Sequence, residues 1–277
     1  MPELSSLFGR DLTQRTISGL ALAAAALLLT YLGPLPFAGL VLAIAMALTW
    51  EWGRVVRDGE IDAVMIVHGI AILAAIVATF LKAPAIAILI VAMGGVLAGV
   101  VAYGATSRLS AIGVLYVGLP AIALISFRSD PVWGFRAVLL LFVCVWGTDV
   151  AAYFSGRAIG GPKLWPRVSP NKTWAGFVGG VGTSAIAGAI LSRFVEQGSA
   201  LRLALTGLGL GIVAQLGDLA ESALKRKHNV KDASDLIPGH GGFLDRVDGL
   251  VIAAVVAAAA AVLINVHSPA RALLVGQ

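Results

Sequence analysis

Residues Gln215 to Gly249, QLGDLAESALKRKHNVKDASDLIPGHGGFLDRVDG, are the stretch from which the rest of the chain can be read. It leaves an apolar run through Asp218 and Glu221 and crosses the basic patch Lys225-Arg226-Lys227. After an acidic, glycine-rich turn it re-enters an apolar run through Asp245, Arg246 and Asp248. Six of the 15 acidic residues (Asp218, Glu221, Asp232, Asp235, Asp245 and Asp248) fall here. Charged groups therefore stand at the mouths of two apolar segments, where they are costly unless paired, hydrated or holding a ligand.

The composition says what those segments are. The 277 residues are 58% hydrophobic and 13% charged, with mean hydropathy +0.92; a soluble domain carries about 25% charged residues. One core cannot hide that much apolar surface, and the 33 glycines suit closely packed membrane helices. The expectation is an all-α, polytopic integral membrane protein. The net charge of +5 reads as topological and phospholipid-facing; no aromatic-basic groove or zinc pattern points to nucleic acid. The single cysteine, Cys144, excludes an intrachain disulfide. The first ten residues lack the pattern of a removable signal peptide.

Apolar runs at 17–33, 36–51, 63–81, 84–104, 110–127, 134–154, 173–192, 202–220 and 247–266 give about nine transmembrane helices. They form a single membrane domain, 1–277, with an N-terminal helical half, 1–130, and a C-terminal catalytic half, 131–277. Two substantial polar loops, 155–172 and 221–246, interrupt the second half. Nine crossings place 14 of the 20 basic residues on the side of the N-terminus. That bias predicts a cytoplasmic N-terminus, with both polar loops on the cytoplasmic side of the inner membrane.

In the first loop, Ser169-Pro170-Asn171-Lys172-Thr173-Trp174 reads as a helix start capped by Ser169 or Asn171. Asp149 and Tyr153 share a helix face just upstream. Arg157, Lys163, Arg167 and Lys172 supply cations suited to phosphate oxygens. In the second loop, helical spacing puts Asp218, Glu221, Ser222 and Lys225 on one face. Glu221 and Lys225 form the i, i+4 pair, which leaves Asp218 short of a partner. Asp245 and Asp248 lie at i, i+3 on the opening turns of the last span. Pro238-Gly239-His240-Gly241-Gly242 is a tight turn through which main chain can approach a ligand. His240 is either a phosphate or acid–base group or a shaper of that turn. Carboxylates from two helix mouths, backed by Lys and Arg, are the ingredients of a site for a divalent metal and phosphates.

The segment SALKRKHNVKDASDLIPGHGGFLDRVDG closely resembles the signature of the phosphatidate cytidylyltransferases, the CDP-diacylglycerol synthases. The matching positions are Ser222, Lys225, Arg226, Lys231, Asp232, Pro238 to Gly242, Asp245, Arg246 and Asp248. SPNKTWAG, with Asp149 and Tyr153 upstream, is similar to the family as well, although Glu-Gly is more usual where Ala175-Gly176 stands. Arg15 and Glu51 are weak points of similarity in the first half. The resemblance implies transfer of the cytidylyl group of CTP to phosphatidate, giving CDP-diacylglycerol and pyrophosphate. It further implies Mg²⁺, with K⁺ as a second cation, among Asp218, Asp245 and Asp248, and Lys225 beside them in catalysis. Lys172, Ser222, Arg226, Lys231, His240 and Arg246 would bind substrate, together with Asn171 and Asp149. The expected partners are CTP, phosphatidate, the lipid bilayer and a second copy of the chain in a homodimer. Two other readings use the same loops: a CTP-dependent polyprenol kinase, and an ion-coupled transporter. The absence of an internal repeat and the concentrated basic residues weigh against transport.

Overall fold

The computed structural model describes residues 3–57, 61–237 and 241–277, with side chains from residue 18 onward. Arg15, as a side chain, and His240 lie outside the described residues.

Among the described residues ten α-helices follow in order: α1 (Glu3–Leu32), α2 (Pro34–Arg57), α3 (Ala63–Phe80), α4 (Pro84–Ala102), α5 (Ser107–Arg128), α6 (Gly134–Ile159), α7 (Trp174–Leu191), α8 (Ala200–Lys227), α9 (Leu244–Ile264) and α10 (Pro269–Val275). Among the described residues, eight helices, α2 to α9, are long and apolar enough to cross a membrane. The apolar part of α1, Ser18–Leu32, is shorter and supplies the ninth expected segment. The division between the first two runs falls at Gly33, whose φ of +133° turns the chain, with Pro34 opening α2.

Several helices run past the apolar stretch that marks them. α2 reaches Arg57, α6 reaches Ile159 and α8 reaches Lys227, whereas hydropathy ends them near 51, 154 and 220. Hydropathy reports the apolar thickness a helix crosses; backbone hydrogen bonding continues into the polar zone beyond it. The two loops are accordingly shorter than expected, at 160–173 and 228–243.

The first loop also corrects the expected helix start. Ser169–Thr173 is a strand, β2, paired antiparallel with β1 (Lys163–Trp165). That pairing, with Pro170 inside it, holds Ser169 and Asn171 in extended backbone, so neither caps a helix. The cap is Thr173, whose Oγ1 accepts the Gly176 N–H at 3.1 Å.

Within the bundle, α6, α7 and α8 pack successively, as do α3, α4 and α5. The approach of α7 to α8 is set by small residues: Ser184 Oγ donates to the Gly207 carbonyl at 2.7 Å, and a Cβ on Gly207 would run into the Ser184 backbone. Contacts of α5 and α2 with α9 join the two halves. Ile66, Ile70, Leu89 and Met93 leave apolar outer faces on α3 and α4, as a lipid-facing helix requires.

Asp62 starts α3, accepting the Met65 N–H at 2.7 Å and the Arg57 Nε–H at 2.8 Å. Burial alone would raise its pKa, but Arg57 and the Met65 amide outweigh it and leave the carboxyl below its ordinary value. A depressed folded value contributes stability above the unfolded carboxylate pKa, near pH 4, and loses it as pH falls through the folded value. Asp62→Ala is expected to cost about 1 kcal/mol, read as a thermal midpoint lower by about 2–4 °C at neutral pH. The difference from wild type should shrink in acid.

Candidate active site

Four elements bring polar groups to one end of the bundle. They are the C-terminal end of α2, the β1–β2 hairpin, the last turns of α8 and the first turns of α9. This end also carries Arg54, Arg57 and the Lys225-Arg226-Lys227 patch at helix C-termini, where cations are favoured by the helix dipole.

Because α8 stays helical to Lys227, Asp218, Glu221, Ser222 and Lys225 share one face. Asp218 is not left without a partner. Its Oδ2 lies 2.6 Å from Lys172 Nζ of β2, and its Oδ1 accepts the Ser222 hydroxyl at 3.3 Å. Lys172 Nζ also donates to Gln215 Oε1 at 3.3 Å. Helical periodicity cannot reveal this pair, since it forms only once the hairpin folds back over α8.

Lys225 is buried, and its ammonium is held between two carboxylates. Nζ lies 2.8 Å from Glu221 Oε2 and is hydrogen-bonded to Asp245 Oδ1. The Glu221 contact lies off the hydrogen-bonding direction, and Glu221 Oε1 has no donor among the described residues although the residue is only 3% exposed. The i, i+4 spacing alone suggests an ordinary surface pair; here it is part of a buried charge cluster.

Asp245, in the first turn of α9, spends its remaining oxygen on the loop. Oδ2 accepts the Ala233 N–H at 3.0 Å and the Gly242 N–H at 2.9 Å. The same loop is closed by the Ile237 N–H on the Gly241 carbonyl at 2.9 Å, with Gly241 at φ +78°. Asp248, one turn on, accepts the adjacent Gly249 N–H at 2.7 Å. It lies in electrostatic range of Asp218, Glu221 and Asp149. Asp149 on α6 in turn feels Asp218, Lys172 and Arg246.

Around this cluster Arg226, Lys231, Arg246 and Asn171 are exposed to solvent. Arg226 reaches the Val230 carbonyl at 3.4 Å. Among the described residues no three His, Cys, Asp or Glu side chains converge closely enough to hold an ion as a set. Asp218 is drawn onto Lys172, and Asp245 onto Lys225 and two amides.

Two carboxylates matter more than their sequence positions suggest. Glu221 joins the buried cluster. Glu51, towards the end of α2, is fully buried against Ser234, Phe243 and Leu244. Its signal in the sequence is an acid lodged between Trp50 and Trp52 at the end of an apolar run; its partners are 183 or more positions away.

Comparison with known proteins identifies the family. The sequence profile of the cytidylyltransferase family matches residues 13–264. A phosphatidate cytidylyltransferase of Brucella suis biovar 1 (strain 1330) is 39% identical over 255 residues, covering 88% of this chain and 91% of its own. Those of Bacillus subtilis (strain 168) and Haemophilus influenzae (strain ATCC 51907 / DSM 11121 / KW20 / Rd) match over 141 residues each. The first is 39% identical, covering 50% of this chain and 52% of its own; the second is 43% identical, covering 49% of each. The chain spans nearly the whole of the Brucella relative, carries the polar end on a polytopic helical bundle, and belongs to the cytidylyltransferase family.

Proposed function

We propose that this chain transfers the cytidylyl group of CTP to phosphatidate, releasing pyrophosphate and leaving CDP-diacylglycerol in the membrane. The observation that carries the reading is the Lys172–Asp218 ion pair, because it ties the first polar loop to the α8 face that carries Glu221, Ser222 and Lys225, making one charged surface at the bilayer boundary. Family membership and the 39% identity to a Brucella phosphatidate cytidylyltransferase support the choice of substrates.

In the reaction a phosphate oxygen of phosphatidate attacks the α-phosphorus of CTP. The bond from that phosphorus to the bridging oxygen breaks, and pyrophosphate leaves with its electron pair. The nucleophile is already anionic, so no strong base is required. The task of the protein is to hold two polyanions together and in line. Exposed Arg226, Lys231 and Arg246, and half-buried Lys172, stand where phosphate oxygens can be met from water. Lys225 has a different task, since its ammonium is committed to keeping Glu221 and Asp245 together. The acyl chains remain among the apolar helix faces while the head phosphate reaches the polar end.

The donor chemistry suits a hard cation: carboxylate oxygens share one electrostatic neighbourhood, and one buried oxygen, Glu221 Oε1, lacks a donor among the described residues. We assign Mg²⁺ to Asp218, Asp245 and Asp248 acting together with substrate phosphates, since no three acidic side chains converge among the described residues; the K⁺ implied by the resemblance would draw on the same carboxylates. When bound, Mg²⁺ neutralises charge on the phosphoryl oxygens. We place the polar end in the cytoplasm, on the inner side of the cell membrane, from the basic bias and the location of CTP.

The reading is tested by offering purified protein in lipid–detergent micelles phosphatidate, Mg²⁺ and each of CTP, ATP, GTP and UTP, and measuring pyrophosphate. CTP should be strongly preferred. Pyrophosphate release that ignores either CTP or phosphatidate would remove the assignment.

A further inference from the structure

We propose that Glu51 is a positioning residue of this transfer, a clamp through which the N-terminal half sets the geometry of the α9 carboxylates; the proposal rests on the cytidylyl-transfer reading above. Glu51 is 0% exposed, and its carboxylate is met by three donors. Oε1 accepts the Ser234 hydroxyl at 2.5 Å and the Phe243 N–H at 2.9 Å; Oε2 accepts the Leu244 N–H at 2.6 Å. Phe243 and Leu244 open α9, whose first amides have no partners within the helix. The residue at the cap position, Phe243, has no capping side chain of its own. Glu51 therefore caps α9 from another helix, placing an anion where the helix dipole favours one.

The site begins directly beyond this cap. Asp245 is in the same turn of α9 and Asp248 is one turn on, so any tilt of that turn moves both. Ser234, held by Glu51, adjoins Ala233, whose amide binds Asp245. Ser234, Phe243 and Leu244 are thus gripped by Glu51 on one side, and Ala233 and Gly242 by Asp245 on the other. Gly242 is what lets the grip close: a Cβ there would sit 2.5–3.0 Å from the carboxylate atoms of Glu51. The base of the clamp is itself fixed, because Trp52 Nε1 donates to the Leu109 carbonyl at 2.9 Å and the indole packs on Tyr116 with ring centroids 5.0 Å apart.

The test uses Glu51→Gln and Ser234→Ala in the full chain, purified in lipid–detergent micelles and checked as folded by thermal midpoint and gel filtration. Glutamine keeps one oxygen but turns an amide NH₂ onto the Leu244 N–H. We expect kcat to fall roughly 100-fold for Glu51→Gln, the scale of a misplacement near 1 Å, with KM for CTP changed far less and the Mg²⁺ needed for half-maximal rate raised. Ser234→Ala should move kcat in the same direction but less. The double variant should be no worse than Glu51→Gln alone, because both act through one clamp.

A second readout does not depend on turnover. Ala233 is 5% exposed, so an Ala233→Cys reporter should react slowly with a water-soluble maleimide when Glu51 is present. With Glu51→Gln the rate should rise at least about tenfold as the segment opens. Folded variants with wild-type kcat, Mg²⁺ response and labelling rate overturn the clamp. If Glu51→Gln does not accumulate as folded protein, Ser234→Ala decides alone, and unchanged kcat with unchanged labelling overturns the proposal. Wild-type protein without cytidylyl transfer overturns the reaction reading instead, and the labelling rates then judge the clamp by themselves.

Discussion

Asp248→Asn is expected to lower turnover by roughly 10²–10³-fold while leaving the thermal midpoint unchanged or raised. The expectation rests on how little Asp248 does for the fold. It accepts a hydrogen bond from its own neighbour, the Gly249 N–H, and the charges around it on Asp218, Glu221 and Asp149 are of its own sign. Replacing the carboxylate by an isosteric amide relieves repulsion inside the cluster, where like charges interact strongly. Loss of rate without loss of stability marks a group held in place for function. Asp245→Asn should differ, losing stability as well as rate, because that side chain holds Lys225 and two loop amides. A thermal melt and a rate measurement on the two variants separate these roles. Near-normal turnover in Asp248→Asn would take that residue out of the site.

Lys225→Met is the second large effect. Methionine fits the volume but removes the cation between Glu221 and Asp245, whose side chains are 1% and 7% exposed. Breaking a buried ion pair from one side leaves uncompensated charge and costs about 3–5 kcal/mol, a fall in midpoint of roughly 10 °C for a chain of this size. Adding Glu221→Gln should recover part of that stability, since it removes one stranded charge, and should not recover turnover. Wild-type stability in Lys225→Met would mean that its ammonium does not neutralise the cluster.

The membrane class was legible in the chain because apolar runs of crossing length admit few other structures, and each has its helix here. The placement of Asp218, Glu221, Ser222 and Lys225 on one face was legible because it needs only helical spacing. Partners were a different matter. Asp218 finds Lys172 across a hairpin that short strands with Pro170 do not announce. Glu51 finds its donors at Ser234, Phe243 and Leu244, brought close only by the packing of α2 and α5 on α9. The spacing shows where the Asp245 carboxylate projects from a helix, while the Ala233 and Gly242 amides that meet it are brought there only by the folded chain. Helix ends were also underestimated, because polar residues at 52–57, 155–159 and 221–227 carry no apolar signal although their backbone stays helical.

The central claim is tested most directly by where the label of CTP goes. Purified protein in micelles is given phosphatidate and Mg²⁺ with CTP labelled either at the α- or at the γ-phosphorus, and the lipid extract is counted. Cytidylyl transfer predicts label in the lipid from α-labelled CTP only, with the γ-label recovered as pyrophosphate. Label entering lipid from the γ-position would mean phosphoryl transfer by a kinase, and no lipid label from either, in protein shown to be folded, would contradict the account.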